Sequence, residues 1–155
     1  MGVLLTYQPL EASAPEATTQ IFEESKKIAE DREWWCEPLF FLSPDCLDGA
    51  TKIFLPGYST GDGGYVEVNA EEDSLMAAYD TQFILDTLTQ WSKRFQINWA
   101  IGIDGDEIGI VSAEGPDPML LGMVAVVATH GVSDEMPDFD EQEINRIRKK
   151  YASRL

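Results

Sequence analysis

The sequence predicts an α+β fold in a single domain over residues 1–155, with a mostly antiparallel sheet of about five or six strands and helices packed on it. Three observations lead there. Short stretches that alternate apolar and polar residues are interleaved with longer ones carrying apolar residues at helical spacing. Most neighbouring strands are joined by turn chemistry, which makes hairpins and not parallel crossovers. Hydrophobic residues are 44% of the chain and aromatics 10%, enough for a proper core at a length where folding buries roughly two thirds of the unfolded surface. The predicted order is β-α-β-β-β-α-β-β-α-α.

Residues 2–8, "GVLLTYQ", read as the first strand. A helix follows from Ser13, the expected N-cap, with Pro15 in its first turn and Glu16 completing a capping box. Phe22, Ile21 and Ile28 give it an apolar face, and it should end near Arg32. "CEPLFFLS" (36–43) and "TKIFLP" (51–56) read as strands around the turn-forming "PDCLDGA", and "YVEV" (65–68) alternates as another. Asn69 should cap a long helix whose first turn holds Glu71, Glu72 and Asp73 against the positive end of its dipole. Ile84, Leu88, Trp91 and Phe95 form one buried stripe along it, and Asp80 is a possible break. "INWAIGI" (97–103) and "EIGIVSA" (107–113) pair as strands. Asp117 and Pro118 begin a helix that should stop at Gly131, although the β-branched residues in 124–129 favour a strand, so the segment 119–128 stays open between the two. A last helix starts at Asp138, with Glu141 completing its capping box and Ile144, Ile147 and Tyr151 as its stripe.

The formal charge is −17, from 28 acidic and 11 basic residues. Such a field repels phosphate backbones and anionic lipid, so nucleic-acid and membrane-surface partners are not expected. All the acids lie at or before Glu143, while Arg146, Arg148, Lys149, Lys150 and Arg154 follow it. The last helix should therefore dock its stripe with its cations held near acidic surface. Cys36 and Cys46 are expected to be reduced thiols. The N-terminus lacks a charged n-region and a cleavage motif, and the longest apolar run, "MLLGMVAVVA" (119–128), is too short to span a bilayer. A cytoplasmic location is the expectation. "MGVLLT" fits the pattern for myristoylation of Gly2, but a first strand accounts for the same letters.

Four motifs invite chemistry. "GIDGDEIGIV" (102–111) puts Asp104, Asp106 and Gly109 on calcium-loop positions, yet Ile108 and Gly115 stand where ligands are required. As a phosphate cradle it has no lysine and no following helix. Asp104-Gly105 between alternating apolar runs is instead a hairpin turn. "GYSTG" (57–61) fits a nucleophile elbow with Ser59 as nucleophile and His130 downstream, but "DGGYVEV" replaces the helix that must present the serine. Gly57, Gly61, Gly63 and Gly64 then read as a mobile loop. His130 is the single histidine, and with Cys36 and Cys46 it matches no zinc spacing. It is expected in a helix's last turn. Trp34 and Trp35 open the expected edge strand before Pro38, where adjacent rings face opposite sides. With Tyr58 and Tyr65 they are the candidate binding residues, since aromatics anchor interfaces, set against the reading in which both tryptophan rings pack beneath helices.

No residue is assigned a catalytic or metal role, and no cofactor is implied. The leading expectation is a small acidic protein-binding module without enzymatic activity, of the immunity type or another inhibitor of a basic partner. A small-molecule binder or enzyme with a pocket near residues 34–36 and 57–65 is the second reading. A structural homo-oligomer subunit, such as a homodimer, is the third.

Overall fold

The computed structural model describes residues 4–42, 55–60 and 69–152. Its element order is β1 (Leu4–Pro9), α1 (Pro15–Asp31), β2 (Gly57–Thr60), α2 (Ala70–Phe95), β3 (Trp99–Ile103), β4 (Asp106–Ser112), β5 (Gly115–Pro116), α3 (Pro118–Ala128) and α4 (Glu141–Tyr151). The strands form one antiparallel sheet in the order β2-β1-β3-β4-β5. This is the α+β class that the sequence predicts.

The turn between β3 and β4 is the predicted Asp104-Gly105. Both residues have positive φ, 50° and 95°, the conformation that lets a two-residue hairpin follow the strand twist. Asp104 also ties the turn to β1, because its Oδ1 accepts the Leu4 N–H at 2.9 Å. A bulge at Ile101/Gly102 shifts the β3–β4 register, so that Ile101 faces Gly109 while Gly102 faces Glu107. One face of the sheet then presents Leu5, Tyr7, Trp99, Ile101 and Val111 to the core, together with Ile84, Leu88 and Trp91 of the predicted stripe on α2. Phe95, its fourth member, is half-buried against the same core. The opposite face carries Gln8, Tyr58 and Ile110, all exposed.

Helix α2 begins as predicted, with Asn69 Oδ1 accepting from the N–H groups of Glu71 and Glu72. It runs unbroken through Asp80. The end of α2 is made by Gln96 in the left-handed region, φ 57°. Helix α1 lies beside it, where Glu24 accepts from Trp91 Nε1 at 2.9 Å and pairs with Arg94. Its expected Ser13 cap is not made: Ala14 is the N-cap, and Ser13 instead bonds Thr18 across the first turn.

Helix α4 docks through its stripe. Ile144, Ile147 and Tyr151 are buried with Trp35 and Met76 in a second apolar cluster, and such side chains contribute roughly 1.5–3 kcal/mol each. Two of its cations meet a carboxylate of α2 as expected, Lys150 (2.7 Å) and Arg146 (3.8 Å) both at Glu72, while Arg146 also pairs with Glu143 within the helix. The helix starts later than Asp138, because Asp140 is the residue whose carboxylate accepts the Gln142 N–H. Glu141 turns away from the expected capping box and accepts from Tyr79 Oη at 2.6 Å.

The expected strand 36–43 is corrected. Through Leu42 its backbone is irregular, apart from one bridge from Phe41 to Gly57. Of the expected strand 51–56, only Leu55 and Pro56 are described, and neither is in a strand; 65–68 lies outside the described residues. The strand that pairs with β1 on the side away from β3 is "GYST", where the motif reading places a loop. Its first residue must be glycine, since a Cβ at Gly57 would collide with the Tyr7 ring and stand 2.6 Å from the Phe40 carbonyl.

Candidate functional site

Helix α3 holds the segment left open between helix and strand. It is a helix because its start is well made: Pro118 fills the first position, and Asp117 accepts the Leu120 N–H through Oδ1 (3.0 Å) and the Ile110 N–H of β4 through Oδ2 (2.8 Å). That second bond seats the helix on β4. Gly109 makes room for it, because a Cβ there would lie 2.6 Å from Leu120 Cγ and 2.7 Å from Asp117 Oδ2. The helix stops with His130 and Gly131 at φ 53° and 79°, their N–H groups donating to the Val127 and Val126 carbonyls. His130 thus lies past the last turn and not in it. Its Nδ1 is 3.1 Å from Ser74 Oγ on α2.

From Pro118 to Ala128 the helix has no charged residue. Leu120, Val124, Ala125 and Ala128 are buried on one side. A helix that is apolar on every side belongs inside a core, yet the outward side of this one is bare. Met119 is 71% exposed and Val126 43%, with Leu121 and Val127 also exposed and Val132 at 86% just beyond the end. The setting is acidic. Between Arg94 and Arg146 the chain has no lysine or arginine, but eleven carboxylates, including Glu107, Glu114, Asp117, Asp134 and Glu135. An uncharged surface within a stretch of chain of one sign of charge has the composition of an interface centre within a steering field.

No family model, characterised protein or solved structure matches the chain. The site is therefore read from its own geometry.

The three described candidate aromatics, Trp34, Trp35 and Tyr58, do not form one surface. Trp35 is buried in the second cluster, edge-on to Tyr151 at 5.7 Å, and its Nε1 donates to Asp73 at 2.8 Å. Trp34 is half-buried, stacked with Arg32 (4.4 Å) and edge-on to Phe83. Both belong to a turn gathered by Asp80. This carboxylate, 1% exposed, accepts from Arg32 through Oδ1 and from the N–H groups of Trp35 and Cys36 through Oδ2, each at 2.8 Å. It holds the segment where a strand was expected. Tyr58 is on the other face of the sheet, 37% exposed and packed on Phe40. Tyr65 lies outside the described residues.

Ser59 is no elbow. It sits within β2, buried, with its Oγ donating to the Pro38 carbonyl and lying 2.9 Å from Tyr7 Oη. The Tyr7 hydroxyl also takes the Phe40 N–H and donates to the Phe40 carbonyl. Burial pushes the Tyr7 phenol up to about 12 against the opposing hydrogen bonds of Ser59 and Phe40. Among the described residues, no three His, Cys, Asp or Glu side chains gather to hold a metal ion, and no helix is long and apolar enough to cross a membrane.

The exposed α3 face escaped the sequence reading because periodicity does not separate a short apolar helix from a buried strand. Two signals point to it. An uncharged run opened by Asp-Pro is more apolar than one buried face requires, and it falls in the long stretch without a cation.

Proposed function

We propose that this protein is a protein-binding module that docks a basic partner through the outward face of α3. The observation that carries this reading is the bare, uncharged helix surface inside a long acidic, cation-free part of the chain. The acidic field would draw a partner with lysines and arginines around an apolar patch and quicken encounter. Met119, Val126 and their neighbours would then supply the desolvated contacts that give affinity. An inhibitor of a basic enzyme fits this division of labour, and no catalytic group is needed. Pairing of two copies through the same face is disfavoured, since it would bring two acidic stretches together.

The test compares three baits in capture from the native cell extract at low salt: wild type, Met119→Asp with Val126→Gln, and Ile110→Gln on the opposite face of the sheet. The double change keeps or raises the negative charge while removing apolar surface. Basic proteins retained by wild type and by Ile110→Gln, released by salt and lost from the α3 variant, are the expected result. Equal retention by all three would show that charge alone does the binding and would reject the α3 face.

A further inference from the structure

We infer that a second site, which meets the α3 surface at Val127, binds a small organic amine with an apolar body. A cavity of about 250 Å³ lies between α2, α3 and the sheet. Its apolar walls are Leu5, Ile84, Ile103, Met123 and Val124. An apolar cavity of about 150 Å³ is enough to hold a benzene ring, so this one takes a ring with a short substituent.

The polar part of the wall sets the charge of the occupant. Three carboxylates line the cavity, Glu37, Asp73 and Asp80, and no lysine or arginine is among its described lining residues. Asp80 is committed to Arg32 and the turn N–H groups. Asp73 accepts one hydrogen bond, from Trp35, through Oδ1, which leaves its other oxygen for a donor. Glu37 is exposed at the same wall. Ser59, Ser74 and Thr81 add hydroxyls, but Ser59 and Thr81 already donate theirs to the Pro38 and Ala77 carbonyls. An anionic ligand would be repelled by Asp73 and Glu37, and a neutral one would leave Asp73 without an ion-pair partner among the described residues. An ammonium group answers both, with its apolar body toward Ile84 and Met123.

The test follows methionine methyl signals by NMR as 2-phenylethylamine, 2-phenylethanol and 3-phenylpropionate are titrated in turn. Met123 lines the cavity, and Met119, on the outward face of α3, is the internal control. The amine should shift Met123 and not Met119, binding roughly tenfold more tightly than the alcohol, while the carboxylate leaves both unmoved. Asp73→Asn keeps the acceptor for Trp35 and removes the charge, so it should erase the preference for amine over alcohol. Ala77→Leu, which fills the cavity, should abolish binding of both; its methyl spectrum reports whether it is folded, and Asp73→Asn decides if it is not. The inference is overturned if the alcohol binds as well as the amine, if Met123 stays unmoved at millimolar amine, or if Asp73→Asn retains the preference.

Discussion

Asp80 and Tyr7 each use one polar side chain to hold a length of backbone that has no ladder of its own. Asp80 is the more demanding case. Its carboxylate and the Arg32 guanidinium are both removed from water, and two backbone N–H groups depend on it. Asp80→Ala should therefore destabilise the protein by about 3–5 kcal/mol, the cost of leaving one member of a buried pair behind, read by urea denaturation. Tyr7 makes a prediction about alkaline pH. Its folded pKa of about 12 lies above the ordinary value of 10, so the native state keeps a proton that the unfolded chain releases. Its contribution is complete below pH 10 and is lost as pH rises toward 12, at about 1.4 kcal/mol per pH unit. Tyr7→Phe should flatten that part of the pH–stability curve relative to wild type; an unchanged slope would mean that the phenol titrates normally. Neither role was legible in the sequence, because each is a contact over more than thirty residues.

At the scale of elements, what could be read was what is local. The caps at Asn69 and Asp117, the Asp104-Gly105 turn and the stripe on α4 are each written within a few residues, and each is found in place. The errors fall where a distant partner decides. "CEPLFFLS" has strand composition, but Asp80 takes the Cys36 N–H and Tyr7 the Phe40 backbone groups, and its described residues keep a single bridge. "GYST" lacks strand composition, yet β1 pairs with it because Gly57 lets the Tyr7 ring pass. The candidate site divides in the same way: the aromatics were visible but mostly serve packing, while the exposed side of α3 depends on which side of the helix the sheet covers. For α4, the packing account predicts that Ile147→Ala costs about 2–5 kcal/mol. Lys149→Glu with Lys150→Glu should change stability little, because exposed ion pairs contribute weakly. If the charge change proves the more damaging in thermal melts, attraction and not the stripe holds the helix.

Over the whole molecule, charge determines how the bare α3 face can be used. With a formal charge of −17, two copies repel, and that repulsion weakens as salt rises. The protein should sediment as a monomer at low and at high salt. A dimer that strengthens with salt would favour the homo-oligomer reading. A basic partner should show the opposite dependence, binding more weakly as salt rises. The claim on which the functional account rests is that another protein covers α3, and a photo-crosslinker placed on that face tests it most directly. With p-benzoylphenylalanine at position 126, irradiation in the native cells should join the protein to a basic partner, and the same group at position 110 should not. Adducts of the same proteins from both positions, or an adduct of position 126 with a second copy of this chain, would contradict it.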